Sequence, residues 1–268
     1  MKRIIIAVIL VALAGVAGIV ARSSSRAEFK ELVSHNVSDV REEIRQTYEL
    51  APGAQVELSG LNGSVRIETS DGKTAEVYIE RTASSQEALD RRRVTIDAGS
   101  DHLRIRGEKN DNAGFFSKIF GREAGERVTL KLPRQVALLA KGINGSVVVG
   151  VMDGSVEMNG INGRIEVGRA TGTATFKGIN GSVVVGLGRL SQEGVRLDGI
   201  NGNIDLQLPA DANADLEARA INGRVISDLP NVTVDKLKGS YSARIGAGGS
   251  SIAAKGINGN IRLSRSAG

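Results

Sequence analysis

The chain has 268 residues, room for one domain or two, with 3% aromatics and no cysteine, which excludes disulfides and thiol chemistry. Its formal charge is +5, but Lys2, Arg3 and Arg22 flank an N-terminal apolar run, and without them 32 basic residues face 30 acidic ones. The basic balance belongs to the leader, and no basic cluster interleaved with aromatics points to nucleic acid.

In chain order, Lys2 and Arg3 precede 18 uninterrupted apolar residues, Ile4 to Ala21, followed by Arg22 and Ser23 to Ser25. A cleaved signal peptide fits the charged start and the small Ala21. An uncleaved hydrophobic helix fits the length, since 18 residues rise about 27 Å against a ~30 Å hydrocarbon core. The anchor, in the membrane through residues 4–21, is favoured over the leader; both place the chain beyond residue 22 outside the cytoplasm, membrane-anchored or periplasmic or secreted. Residues 23–47 read as a juxtamembrane linker. Phe29, Leu32, Val33, Val37, Val40 and Ile44, spaced by three and four, predict a helix within it. Its tail, through Tyr48 and Leu50, equally suits a first strand.

Residues 48–140 form a less regular β portion. Alternating apolar residues predict strands over 56–69, 75–83, 93–98 and 102–108, and 85–93 reads as a short helix. The loop 108–126 holds Phe115, Phe116 and Phe120 with Ile119. It reads either as a lid over exposed strand edges or as a patch that touches a membrane or partner, aided by Lys118 and Arg122.

From 141 to the end one phrase governs the chain. G-I-N-G recurs with asparagines at Asn144, Asn162, Asn180, Asn201, Asn222 and Asn258, separated by 18, 18, 21, 21 and 36 residues, with an earlier outlier at Asn62. A fixed period near 20 marks stacked repeats. Within it run nonapeptides led by glycine, apolar at positions three and five: Val147/Val149, Val156/Met158, Ile165/Val167, Ala174/Phe176 and Val183/Val185. That is strand alternation, and two strands with two glycine turns make one coil. One coil cannot bury a core alone, so coils must stack. The expected fold is all-β, a parallel β-solenoid with about 18–21 residues per coil. The asparagines should stack in one corner column, where side-chain amides can ladder, beside core isoleucines at 143, 161, 179, 200, 221 and 257. The spacing of 36 predicts a degenerate rung near Ser240. Prolines at 52, 133, 209 and 230 stand 10–13 residues before a corner, where they end strands.

No catalytic set emerges. His35 and His102 belong to no ligand motif, and neither a G-x-S-x-G elbow nor a phosphate-binding loop is present. Calcium β-rolls need Asp at position six of the nonapeptide, where this chain has Gly150, Asn159, Gly168, Lys177 and Gly186. No metal, cofactor or catalytic residue is expected. A polysaccharide-cleaving enzyme is the rival class, with Glu157, Glu166, Asp205 and Arg196 as its outward candidates and a solubilising charged face as their plainer role.

The exported start, the Leu-Pro strand ends and the repeated G-I-N-G phrases resemble the bacterial putative-adhesin family, a Gly-rich β-strand-repeat domain of unknown function related to the head domains named after their Gly-Ile-Asn motif. The resemblance covers roughly residues 45–268. It implies a non-catalytic cell-envelope protein whose partner is a glycan or an envelope protein, with no established site residues to carry over. An envelope sensor or regulator is the alternative.

Overall fold

Alternation with a period of two places every second side chain on one face of a strand, and in this chain the apolar half of that alternation is collected from two sheets into one core. The computed structural model describes residues 39–109, 124–188, 194–230 and 232–266. The expected leader or anchor at 1–22, the linker as far as residue 38, and Phe115, Phe116, Ile119 and Phe120 lie outside them. Among the described residues no helix is long and apolar enough to cross a membrane.

The strands run β1 (Val40–Glu49), β2 (Gln55–Ser59), β3 (Gly63–Ser70) and β4 (Thr74–Ala83); helix α1 (Gln86–Arg91) then leads to β5 (Arg92–Ala98), β6 (His102–Lys109) and β7 (Gly125–Pro133). The repeats continue as β8 (Ala137–Lys141), β9 (Val147–Met152), β10 (Val156–Asn159), β11 (Ile165–Ala170), β12 (Ala174–Asn180), β13 (Val183–Leu187), β14 (Val195–Asn201) and β15 (Ile204–Leu208). The last are β16 (Ala214–Asn222), β17 (Val225–Ser227), β18 (Val234–Leu237), β19 (Ser240–Ile245), β20 (Ser250–Asn258) and β21 (Ile261–Arg265). From β8 to β17 successive strands alternate between two large, mostly parallel sheets, the G-I-N-G phrases making the crossings out of β8, β10, β12, β14 and β16. One sheet is ordered β1-β4-β7-β3-β9-β11-β13-β15-β21-β17 and the other β18-β19-β16-β20-β14-β12-β10-β8-β2-β6-β5.

The inward residues of both sheets form one continuous cluster. All ten apolar nonapeptide positions from Val147 to Val185 are buried, as are Ile143, Ile161, Ile179, Ile200 and Ile257. Ile221 is only partly buried, because β20 pairs with it on one side, whereas the antiparallel β19 on the other side of β16 pairs only as far as Arg219.

Order in space departs from order in sequence at both ends. The unit β6–β7 lies outside β2–β3, and the last unit, β20–β21, is inserted between β14–β15 and β16–β17. Antiparallel strands finish each end: β4 and β1 beyond β7, β5 beyond β6, and β19 and β18 beyond β16.

Two expectations are corrected. Of the two readings for the stretch that ends at Tyr48 and Leu50, the first strand holds and the helix over 40–47 does not: β1 pairs with β4 along all its length, Ile44 opposite Ile79, so pairing with an apolar strand overrides the helical spacing. No parallel rung forms at Ser240. Lys238 and Gly239 have φ of 45° and 82°, the positive values of a two-residue hairpin turn. They fold β18 back on β19 with Leu237 opposite Ser240. The 36-residue spacing is thus one period plus a hairpin.

The corner glycines permit the stacking. Gly178 sits at φ 60°, and a Cβ on Gly181 would lie 2.2 Å from the carbonyl oxygen of Gly163 in the unit below. Ala220 occupies the first glycine position of its phrase at φ 53°, where a side chain costs roughly 1 kcal/mol. Ala220→Gly is expected to stabilise the protein by about 1 kcal/mol, and Gly181→Ala to destabilise it by about 3 kcal/mol or more. Urea titration followed by circular dichroism measures both; a neutral Gly181→Ala would contradict the close approach.

Candidate functional site

The corner column is built by register. Parallel pairing sets each asparagine over the next. At each step Nδ2 of one donates to Oδ1 of its neighbour: Asn144 to Asn62 at 2.9 Å, Asn162 to Asn144 and Asn180 to Asn162 at 3.0 Å, and Asn201 to Asn180 at 3.1 Å. The series then follows space rather than sequence, Asn258 to Asn201 at 3.0 Å and Asn222 to Asn258 at 2.9 Å. Seven asparagines stand in one file with their amide dipoles aligned. Asn62, 82 residues before Asn144 in sequence, is its first member, and no member stands at Ser240, because Asn222 bonds directly to Asn258.

The file is closed at its first end by charge. Asn62 donates Nδ2–H to Ala124 O at 3.2 Å, and its backbone N–H donates to the buried Glu126 carboxylate at 2.6 Å. Arg92 pairs with the same carboxylate and donates to Gly60 O at 2.6 Å. Buried Arg81 donates to Leu89 O at 2.6 Å, to Arg92 O and to Glu42. These partners are far apart in sequence, so no local pattern announced them. The unit beyond Asn62, β6–β7, carries no asparagine at this corner among its described residues, so the Asn62 donors are met by Ala124 O and Glu126, and Arg92 pairs the buried carboxylate because a buried unpaired charge is costly.

Beside the amide file runs a second column that sequence reading passed over. On the β5-to-β18 sheet, the outward residues immediately before the seven phrases fall in register as Ser59, Lys141, Asn159, Lys177, Asp198, Lys255 and Arg219, with Arg106 of β6 continuing the column beyond Ser59. Glu57, in the adjacent column, forms an ion pair with Lys141 at 2.9 Å and lies 3.7 Å from Arg106. The Lys141 amine holds its carboxyl below the usual range. Between the two columns lie the first residues of the phrases, glycine in all but Ala220, so the strip runs between a file of amides and a mixed polar column in which Arg106, Lys141, Lys177, Lys255 and Arg219 are cationic and Asp198 is anionic. Its signal was available as the position preceding each G-I-N-G.

The enzyme candidates do not converge. Glu157 and Arg196 lie in one sheet with Thr175 between them in register, whereas Glu166 and Asp205 lie in the other with Val184 between. All alternate with buried neighbours, so they point outward from opposite sheets. Glu166 is paired with Arg164 at 3.2 Å, and Asp205 accepts from Ser264 at 2.5 Å. Among the described residues no three His, Asp or Glu side chains gather as a metal site.

His102 stands between two carboxylates at the β5–β6 turn. Nδ1 is 2.7 Å from Asp101 and Nε2 is 3.5 Å from Asp97. The hydrogen bond to Asp101, with support from Asp97, raises the imidazole above its ordinary value of 6.5. Because the folded value is the higher one, this contact stabilises fully below about 6.5 and is lost as pH rises through the folded value. An NMR titration should place the His102 midpoint above 6.5, and Asp101→Asn should bring it down; an unmoved midpoint in the variant would refute the pairing.

No family model matches the sequence, and no curated protein does. Among solved structures, the chain is similar to a putative cell adhesion protein from Clostridium sporogenes, at 11% identity and a TM-score of 0.41, covering 83% of this chain and 99% of that one. A putative adhesin from Bacteroides fragilis matches at 12% identity and a TM-score of 0.27 over 82% and 96%. A putative lipid binding protein from Parabacteroides distasonis matches at 12% and 0.25 over 84% and 95%. Likenesses this distant carry no functional argument.

Each interior asparagine joins two ladder bonds, each worth about 1 kcal/mol net and less where water competes. Asn162→Ala should therefore cost about 1–2 kcal/mol, and Asn162→Asp, which sets a carboxylate against the Asn144 Oδ1, should cost at least as much. Thermal melts of the two variants check this. An unchanged melting temperature in both would make the file a bystander.

Proposed function

We propose that the protein is a non-catalytic, adhesin-like β-solenoid of the cell envelope, working by presenting rigid, flat faces to an envelope glycan. We read the alternation of the chain between two parallel sheets as the coils of a parallel solenoid of about 18–21 residues. The observation that carries the reading is the outward strip in which the asparagine file runs beside a polar, mainly cationic column, with one residue of that column per strand at about 4.8 Å. A linear polymer lying along such a strip makes a weak contact at each strand, and many weak contacts in series give useful affinity. The G-I-N-G resemblance to the putative-adhesin family agrees with this, and the apolar run at residues 4–21, as an anchor or a leader, would hold the stack outside the cytoplasm. The dispersal of Glu157, Arg196, Glu166 and Asp205 over two outward faces weighs against the polysaccharide-cleaving alternative.

A second reading, an envelope sensor that binds a protein, draws on one observation. Ile226 and Leu237, 47% and 75% exposed, lie on the outermost strands β17 and β18 at the same end of the stack. The loop bearing Phe115, Phe116, Ile119 and Phe120 is the other candidate contact for that partner or for a membrane.

The full-length protein should be tested against a panel of neutral and acidic envelope glycans and anionic lipid vesicles. Two variants accompany it: Lys141→Ala/Lys177→Ala/Lys255→Ala, and Phe115→Ser/Phe116→Ser/Phe120→Ser. Glycan binding weakened about tenfold by the lysine changes, at about 0.5 kcal/mol each, and unaffected by the phenylalanine changes is expected. Loss of binding in the phenylalanine variant alone would move the site to the loop, and hydrolysis of any glycan would overturn the non-catalytic reading.

A further inference from the structure

All seven asparagines of the file are followed by glycine, and an eighth Asn-Gly pair, Asn159–Gly160, lies beside it. Asn-Gly is chemically fragile because glycine has no Cβ to keep its backbone nitrogen away from the preceding side chain. After losing its proton, the glycine nitrogen attacks asparagine Cγ. The Cγ–Nδ2 bond breaks, ammonia leaves with the proton, and a succinimide ring remains. Water then opens the ring to aspartate or isoaspartate. The reaction needs a glycine N–H free to ionise and a side chain free to turn toward it.

The fold denies both conditions at nearly every unit. Gly145, Gly163, Gly181, Gly202 and Gly259 each donate N–H to the backbone oxygen of the asparagine in the adjacent unit at 3.0 Å, and Gly160 donates to Lys177 O at 2.9 Å. The five interior ladder side chains are each held as donor and acceptor at once. At the first end Asn62 is enclosed: Oδ1 accepts from Asn144, Nδ2 donates to Ala124, and its backbone is bonded on both groups to Glu126.

The far end is different. Asn222 donates to Asn258, but no described group donates to its Oδ1, and no described group accepts from the Gly223 N–H. Tyr241 donates to Gly223 O at 2.9 Å, which leaves the nitrogen untouched. Gly223 is exposed, whereas the second glycine of each of the other six phrases is half-buried.

We propose that Asn222 is a site of spontaneous covalent modification, the one ladder asparagine that converts to aspartate or isoaspartate while the protein stays folded. Conversion replaces the Nδ2–H donor with a carboxylate facing the Asn258 Oδ1, so the last ladder bond is lost. β17 is then held by its three-residue pairing with β21 and by the flanking bonds of Arg224 N–H to Asn260 Oδ1 at 3.0 Å and Asp228 N–H to Leu263 O at 2.8 Å. Age is thereby recorded at one end of the stack, and the glycan-facing strip is left intact toward the other.

The test is to hold the folded full-length protein in mildly alkaline buffer and to follow every Asn-Gly pair by peptide mapping and mass spectrometry, beside the same chain unfolded in urea. Unfolded, the eight pairs should convert at similar rates. Folded, Asn222 should convert about tenfold or more faster than any of Asn144, Asn162, Asn180, Asn201 and Asn258, the factor that one retained hydrogen bond of ordinary strength represents. Equal rates in the folded protein, or a pair other than Asn222 converting first, would overturn the proposal.

Discussion

The close approach of one glycine corner to the next is the constraint on which the rest depends. At Gly181 a single added carbon would fall within 2.2 Å of the carbonyl oxygen below it, and the same contact recurs at Gly163, Gly202, Gly223 and Gly259. Where the backbone comes that near, the amide of the residue before it must come near its counterpart too, and asparagine converts the proximity into a hydrogen bond. The glycine and the asparagine of the phrase are therefore one device. One removes bulk, and the other supplies a bond whose donor and acceptor repeat at the strand spacing.

A device of this kind has no natural end, and the protein solves the two ends differently. At the first, the outer unit β6–β7 has no corner asparagine among its described residues, so Ala124 O and the Glu126 carboxylate meet Asn62, Arg92 pairs that carboxylate, and α1 with the antiparallel β4 and β5 completes the cover. At the other, the hairpin β18–β19 folds back and the final unit slides inside its predecessor. The insertion means that the unit at the end of the file is not the one at the end of the chain. The outermost strands at that end carry exposed Ile226 and Leu237, and the side-chain oxygen of the outermost asparagine, Asn222, accepts from no described group.

The same regularity shapes what the faces can do. Groups that alternate with core residues are driven outward on both sheets, so charged side chains form straight columns and not clefts. Catalysis by paired carboxylates requires two groups to meet across a substrate, and straight columns on opposed sheets separate them. An extended, repetitive surface suits an extended, repetitive ligand, which is the physical basis for the proposed glycan-binding role.

The G-I-N-G corner and the apolar third and fifth nonapeptide positions were legible because each depends on neighbours fewer than ten residues away, and the repeat of the phrase every 18–21 residues made the stacking visible. Gly178 needs positive φ and Val183 needs a core wherever the chain goes next, so local composition determined two β-rich faces, their inward residues and the short helix near Ser85. Tertiary structure decided what depends on distant partners. Val40 and Ile44 became strand because β4 was there to pair with them. Ser240 became part of a hairpin because Lys238 and Gly239 closed a two-residue turn before a rung could form. Asn258 took its place between Asn201 and Asn222 because a parallel strand is bonded equally well by any unit of matching register, and sequence order does not enter that bond.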